Sequence, residues 1–235
     1  IALSPDILMI SVERSVYKST DGGQTWFNSG STGLSDIRRI YFYDDNLGFA
    51  SAIWGGYSRT LDGGLTWTIM EGLSGNENIT DFSFIDQQTG YASTVGGNVL
   101  KTTDGGLSWD LVNSDNRGQV NEINFFDENN GYMVGGLIYE TSDGGLTWNI
   151  VNTSVCSDLK SVASNNLGDR IAVGLGCYID NGRTIYNASS GGLWSEVSSI
   201  IGTREVHSVL FDGQEAYLFS ESQSRKSNDG GITWK

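Results

Sequence analysis

The chain has 235 residues, and its 28 Asp and Glu against 14 Lys and Arg give a formal net charge of -14. Such an acidic chain is a poor partner for nucleic acid and for anionic membrane surfaces, because both carry negative charge. No run approaches the ~18 consecutive apolar residues of a membrane span, so we expect no membrane insertion. The 32 glycines and single proline are typical of turn-dense β structure, and the length fits a single domain over 1–235.

Short strands are predicted along the whole chain. They are rich in aromatic and β-branched residues, Gly, Asn and Asp separate them, and no helical stripe of useful length occurs. In chain order the predicted strands are 7–12, 16–19 and 26–28; 37–43, 48–53, 57–60 and 67–70; 79–85, 90–95, 99–102 and 109–112; 120–126, 131–134, 138–141 and 148–151; 159–163, 170–175, 184–187 and 193–197; 206–211, 215–220 and 225–227.

An eight-residue motif recurs among these strands and reads polar-x-Asp-Gly-Gly-x-Thr/Ser-Trp. Its copies are 19–26, 60–67, 102–109, 141–148 and 227–234, with a degenerate copy at 188–194. A period near ~40 residues belongs to solenoids, propellers and arrays, and four strands per period are typical of propeller blades. We therefore predict an all-β propeller of four-stranded antiparallel blades. Six blades are the simplest count, and seven if flanking sequence is missing, since both ends look cut within a blade.

The motif suits a tight turn between the last two strands of a blade. Its aspartate can accept backbone N–H bonds, and its glycines supply a positive φ without steric cost. Its tryptophan is predicted to begin the next strand and to pack on the neighbouring blade. The residues given this structural role are Asp21, Trp26, Asp62, Trp67, Asp104, Trp109, Asp143, Trp148, Asp229 and Trp234.

The motif resembles the Asp-box, or BNR repeat, of sialidases, sortilin-type receptors, xyloglucanases and photosystem II assembly-factor propellers. The Tyr/Phe-rich strands and the Gly-Gly lead-in make the chain look most like the last group. The resemblance implies a sialidase-like propeller whose motif turns are structural and lie away from the active face. It also implies a scaffold or assembly role.

Two polar positions recur between apolar ones in the first strand of each repeat. In a propeller these strands begin at the channel mouth opposite the motif turns, so the polar side chains should ring that mouth as a concave, charged ligand site. Trp54 would stack on a sugar or anchor a partner there. A solvated lining without ligand, and burial of Trp54 against the next blade, are the alternatives. The site residues are Arg38, Arg39, Trp54, Asp81, Glu122, Lys160, Arg183 and His207, with Thr80, Asn121, Ser161 and Ser208 beside them.

We expect no catalysis, no cofactor and no metal. The Arg-Ile-Pro element of sialidases is absent, because the one proline is Pro5 and Ser4 precedes it. Asp81 and Glu122, on adjacent predicted blades, could approach the spacing of a glycosidase carboxylate pair, but nothing singles them out. Calcium loops, zinc spacing and a P-loop are missing, and His207 alone makes neither a metal site nor a triad.

Cys156 and Cys177 are the only cysteines and lie in the degenerate repeat. The loops that carry them should share one end of a blade, which makes a disulfide plausible; two free buried thiols are the alternative. Low lysine content and abundant Asn, Ser and Thr favour a secreted, periplasmic or cell-surface protein. A leader could have preceded Ile1.

The sequence favours a non-catalytic, exported scaffold propeller that binds a protein partner through the channel-mouth face. Two alternatives stay open. One is a carbohydrate-binding or glycosidase-related propeller of sialidase-like type, whose partner would be a glycan. The other is a structural repeat segment of a larger surface protein.

Overall fold

The computed structural model describes residues 6–70, 77–114, 118–152, 158–165, 167–175, 183–188, 194–196, 206–220 and 224–235. All regular secondary structure in these ranges is β-strand, numbered β1 to β22 in chain order. The described strands form six antiparallel sheets, A to F, each built from strands that are consecutive in sequence. The chain divides into two compact units, Ile1–Arg117 with sheets A to C and Gly118–Lys235 with sheets D to F. None of the described segments is a helix long and apolar enough to cross a membrane.

The first unit contains one three-stranded and two four-stranded sheets. Sheet A consists of β1 (Leu8–Val12), β2 (Ser15–Ser19) and β3 (Phe27–Ser31). Sheet B consists of β4 (Ile37–Phe42), β5 (Gly48–Ala52), β6 (Tyr57–Thr60) and β7 (Thr68–Met70). Sheet C consists of β8 (Ile79–Phe84), β9 (Gly90–Thr94), β10 (Val99–Thr102) and β11 (Asp110–Asn113).

The second unit repeats the pattern in two four-stranded sheets and one three-stranded sheet. Sheet D consists of β12 (Val120–Phe125), β13 (Gly131–Gly135), β14 (Ile138–Thr141) and β15 (Asn149–Asn152). Sheet E consists of β16 (Asp158–Ser164), β17 (Arg170–Leu175), β18 (Arg183–Ala188) and β19 (Ser195–Glu196). Sheet F consists of β20 (Val206–Asp212), β21 (Glu215–Ser220) and β22 (Ser224–Ser227). The strands agree with the predicted ones within a few residues, and the total blade count stays a prediction.

The eight-residue motif forms a closed turn that follows β2 in sheet A, then β6, β10 and β14 in sheets B to D, and β22 in sheet F. In sheet A the Ser19 hydroxyl donates to Asp21 Oδ1 over 2.8 Å and accepts the amide of Gly23, also over 2.8 Å. The Asp21 carboxylate then accepts the amide and the hydroxyl of Thr25 over 2.9 and 2.6 Å. The same bonds recur around Asp62, Asp104, Asp143 and Asp229. The predicted turn is therefore present.

The tryptophan of the motif belongs to this turn, which corrects its predicted place at the start of the next strand. In sheet B the Trp67 indole N–H donates to the carbonyl of Gly64 over 3.0 Å, and the strand begins at Thr68. The indole thus folds back over the turn, which leaves the following residue to start the ladder. The expected packing on the preceding sheet occurs, as the Trp109 ring meets Phe49 of sheet B edge-on at 6.4 Å.

The core of each unit lies between successive sheets. In the first unit, Phe49 of sheet B stacks on Phe84 of sheet C with ring centroids 4.7 Å apart and planes at 14°. In the second unit, Trp194 of sheet E meets Tyr132 of sheet D edge-on at 5.6 Å. Aromatic rings in these geometries add to the burial of apolar area, so they help to hold sheets B and C, and sheets D and E, together.

Each of the five first strands β4, β8, β12, β16 and β20 carries one irregular position near its start. The pairing with the second strand shifts between Ile37 and Arg39 in sheet B and between Ile79 and Asp81 in sheet C. It shifts in the same way in sheets D, E and F. An extra residue in one strand is a β-bulge, which re-aims the side chains around it. The bulge explains why two consecutive polar positions recur there: the simple in-out alternation is interrupted.

Candidate binding edge of the sheets

Hydrogen bonds define two edges in sheets B and C. On the edge that we call the motif edge, the motif turn is held to the turn between the first two strands, as when the Gly105 amide donates to the Gln88 carbonyl over 2.8 Å. On the opposite edge, the loop between the second and third strands is held to the start of the first strand. There the Ile53 amide donates to the Asp36 carbonyl over 2.9 Å. The predicted site residues that begin the first strands lie on this opposite edge.

The bulge separates the consecutive arginines Arg38 and Arg39. Arg38 is exposed, whereas Arg39 Nε lies 2.7 Å from Asp81 Oδ1 of sheet C. The Asp81 side chain is only 3% exposed. A ligand approaching from solvent can therefore reach Arg38 but not the Asp81 carboxylate, and the ion pair joins two sheets. This burial does not favour Asp81 as one of a pair of glycosidase carboxylates, which must contact the sugar.

In the second unit, too, some of the corresponding side chains contact a neighbouring sheet and others face solvent. In sheet E the Ser161 hydroxyl donates to Glu122 Oε1 of sheet D over 3.3 Å and accepts the amide of Val209 of sheet F over 3.2 Å. Lys160, the bulge residue before it, pairs with Asp158 of its own strand. His207 is exposed at the start of β20. Glu122 and Ser161 thus connect sheets, while Lys160 and His207 lie on the solvent side.

Trp54 is the most exposed large apolar side chain among the described residues, with 79% of its surface accessible. It lies in a tight turn closed by the bond from the Gly55 amide to the Ala52 carbonyl, 3.4 Å long. Gly55 and Gly56 follow with φ of 91° and 86°, a conformation that glycine adopts without strain. The turn therefore holds Trp54 out from the edge, and the alternative of burial against another sheet does not apply.

Sheet C has the same turn without a tryptophan. There the Gly97 amide donates to the Thr94 carbonyl over 2.9 Å, which puts Gly96 at the position that Trp54 occupies in sheet B. The turn itself thus requires no large side chain at this position. An exposed tryptophan that the fold does not need is a candidate for recognition.

Three further predicted residues are Arg183, Cys156 and Cys177. Arg183 begins β18 on the same edge as the bulges. Cys156 and Cys177 lie outside the described residues, so their disulfide stays a prediction. The described residues contain no group of three or more His, Cys, Asp or Glu placed to hold a metal ion.

No family model matches the chain, and neither does any curated protein. Solved structures do resemble it. YCF48 bound to D1 peptide is 20% identical with a TM-score of 0.65, over 85% of this chain and 67% of that one. An ancestral GH74 enzyme is 18% identical with a TM-score of 0.73, over 99% of this chain and 36% of that one. A chain of the nidogen/laminin complex is 11% identical with a TM-score of 0.72, over 97% and 91%.

The fold is that of a β-propeller. The predicted fold class is confirmed by the antiparallel sheets of consecutive strands and by these likenesses. At such identities the likeness shows the fold alone, and a fold supports many functions. The chain spans little more than a third of the GH74 enzyme's length, so the activity of that enzyme cannot be assigned to this propeller from the comparison.

A second recurring pattern of the propeller escaped the sequence interpretation. The turn between the first two strands is built on Asp44, Asp86 and Asp127, each of which accepts two backbone amides, as Asp86 Oδ1 does from Gln88 and Thr89 over 2.7 Å each. Its signal is Phe-x-Asp-x-x-x-Gly at 42–48, 84–90 and 125–131. Because the same spacing occurs three times, this turn is predictable from the sequence.

Proposed function

We propose that this propeller is a non-catalytic binding module that takes a peptide segment of a protein partner on the opposite edge of sheet B. The observation that carries the proposal is the exposure of Trp54. The hydrogen-bonded turn that exposes it has Gly96 at the same position in sheet C, so the turn does not need a tryptophan. Burial of one tryptophan is the kind of contact that dominates protein interfaces. YCF48, which has a similar fold, was solved with D1 peptide bound, so a propeller of this kind can bind a peptide.

The surroundings of Trp54 support a peptide as the ligand. Ile53 in the same turn is 39% exposed, and Val95 in the corresponding turn of sheet C is 37% exposed. Arg38 adds an exposed cation at the start of β4 on the same edge. An apolar anchor beside a rim charge is the usual composition of a protein interface, in which the anchor supplies affinity and the charge influences association.

The experiment is selection of a displayed-peptide library on the wild-type protein, followed by affinity measurements with the selected peptides. The key variant is Trp54→Gly, which gives sheet B the turn residue of sheet C. We expect it to weaken binding by at least tenfold, as hot-spot tryptophans do, with no change in thermal unfolding. Arg38→Ala should weaken binding less and reduce its salt dependence.

Leu65→Ala is the matched control, because Leu65 is 59% exposed in the same sheet but lies on the motif edge. It should leave affinity unchanged. Peptides that bind the Trp54→Gly variant as well as the wild type would refute the proposal, and so would a library that yields no binder. Selective binding of glycans at Trp54 in a parallel array would instead favour the carbohydrate-binding alternative.

We also propose, from the sequence, that the protein is an exported Asp-box propeller with a bridge between Cys156 and Cys177. Disulfides persist in oxidising compartments, so a bridge between these cysteines would support export. Thiol alkylation followed by intact-mass measurement tests the bridge: both cysteines should be alkylated only after reduction. Alkylation without reduction would contradict it.

A further inference from the structure

A cavity of about 270 Å³ lies between sheets D and E on the motif edge. It is lined by Phe126, Asn130, Tyr132, Ser164, Asn165, Gly168 and Arg170. Sites for drug-sized ligands are usually about 300–1,000 Å³, so a cavity of this volume suits one small unit of a larger ligand. Neither the motif turns nor the proposed peptide site accounts for it.

One wall of the cavity is the Phe126 ring, which we call the platform and which packs on Tyr132. Phe126, 43% exposed, stacks on Tyr132 with centroids 5.8 Å apart and planes at 22°. Burial raises the pKa of Tyr132 to about 12, so its hydroxyl stays protonated and donates to Glu140 Oε1 over 2.9 Å. Arg170 Nη1 donates to the same hydroxyl, and the Arg170 guanidinium lies over the Tyr132 ring at 5.2 Å. Tyr132 is thus fixed, and it holds Phe126 as a flat surface facing the cavity.

The polar groups beside the platform offer hydrogen-bond acceptors. The side-chain nitrogen of Asn130, Nδ2, donates to both carboxylate oxygens of Asp127, over 3.0 and 2.9 Å. Its side-chain oxygen, Oδ1, is left as an acceptor. The Ser164 hydroxyl donates to Asn124 Oδ1 over 2.7 Å, so its lone pairs are also available as acceptors. A ligand that fits these two groups must bring hydrogen-bond donors.

The charged groups around the cavity already have partners or oppose an anion. Arg170 is 8% exposed and pairs with Glu140 over 3.2 Å. This pairing compensates the positive charge of Arg170, the one charged residue in the lining, so the cavity offers little to attract an anion. The carboxylates of Asp127 and Asp169 lie behind Asn130 and Asn165, whose side-chain amides donate to them, and their negative charge further opposes an anion. A neutral ligand that is rich in hydrogen-bond donors and has one apolar face fits this lining.

We propose that this cavity binds a neutral pyranose unit of a glycan. The C–H face of a pyranose carries slight positive charge and packs on the negative face of an aromatic ring, here Phe126. Its hydroxyls donate to Asn130 and Ser164. Because the cavity lies on the motif edge of the second unit, and the proposed peptide site on the opposite edge of the first unit, either proposal can fail without the other.

The test is a titration of the complete protein with methyl glycosides of glucose, galactose, mannose and N-acetylglucosamine. Binding is followed by protein NMR shifts and by saturation transfer to the sugar. At least one glycoside should bind, and its ring protons should receive saturation. Phe126→Leu keeps apolar volume but removes the flat ring, so we expect about three- to tenfold weaker binding, whereas Phe126→Tyr should retain it.

Phe219→Ala is the matched control, since Phe219 is 41% exposed in the same unit and does not line the cavity. It should bind like the wild type. Ser164→Ala provides a second test that leaves the platform intact, and it should also weaken binding. The proposal is overturned if no glycoside binds, if Phe126→Leu binds as well as the wild type, or if lysine methyl ester or acetate shifts the cavity resonances while the glycosides do not.

Discussion

Arg39 Nε lies 2.7 Å from Asp81 Oδ1, and this ion pair joins the first strands of sheets B and C. The arginine is 39% exposed at its side chain and the aspartate 3%. The pair therefore has one partner in contact with water and one without it. Since an aspartate buried without its cation would be strongly disfavoured, Arg39 is a structural residue.

Arg39→Ala should destabilise the protein by roughly 1–3 kcal/mol, less than a fully buried pair because water reaches Arg39. Arg38→Ala, one residue earlier and exposed, should stay within about 0.5 kcal/mol of the wild type. Urea unfolding measures both. Equal stability of the two single variants would contradict the structural role of Arg39.

Removal of the aspartate from a motif turn should destabilise the propeller. In sheet C, Asp104 Oδ1 accepts the amides of Leu107 and Ser108 over 2.9 Å each. We expect Asp104→Ala to cost about 1–2 kcal/mol, by analogy with the loss of a helix cap. Thermal unfolding checks this, with Asp110→Ala on the next strand as the control. A melting temperature shared by Asp104→Ala and the control would contradict the structural role.

Stability should fall in acid because the motif aspartates are harder to protonate in the folded state. Hydrogen bonds from the side chain and amide of Thr25 lower the pKa of Asp21 from its usual 3.8 to about 2, and bonds from Thr233 do the same for Asp229. A folded pKa below the unfolded one gives stability that is complete above the unfolded value and is lost as the pH falls toward the folded value. Urea midpoints measured from pH 6 to pH 2 should therefore decrease below about pH 4. The decrease in urea midpoint should be smaller in Asp21→Asn than in Asp110→Asn. If the midpoint falls equally with pH in both variants, the motif aspartates are not its cause.

Gly90 should not accept a side chain. It pairs with Phe84 across β8 and β9, and a Cβ atom at Gly90 would lie 2.7 Å from three atoms of the Phe84 ring. We expect Gly90→Ala to cost about 1–3 kcal/mol through overpacking. Gly136→Ala is the control, because a Cβ there meets nothing within 4 Å. Chemical unfolding would reveal the difference, and equal costs would show that the ring moves aside freely.

The sequence was sufficient for the fold because the motif turn is local. Asp21, Gly23 and Thr25 are close in sequence, and their bonds follow from residue chemistry alone. Strand boundaries followed from the spacing of these turns. The Phe and Gly pairs, such as Phe84 with Gly90, could also have been found, because their spacing recurs.

The candidate sites were less predictable, since they depend on pairing between segments. Arg38 and Arg39 look equivalent in the sequence, and only the bulge against β5 makes one exposed and the other an inter-sheet residue. The cavity near Phe126 is formed by side chains of two sheets that are far apart in sequence. Periodicity reports what the sheets share, whereas a binding site consists of what one sheet has and the others lack.

The bulges give this propeller positions at which the amino acid can be exchanged with little loss of stability. At Arg38 and His207 the bulge residue is exposed, while the residue after Arg38 holds the neighbouring sheet. Neighbouring positions therefore differ in role: position 38 can change without loss of the fold, whereas position 39 holds two sheets together. Randomising positions 38 and 207 together with the turn residue 54 would produce a library of intact scaffolds, from which new specificities could be selected in the laboratory as they could be in nature.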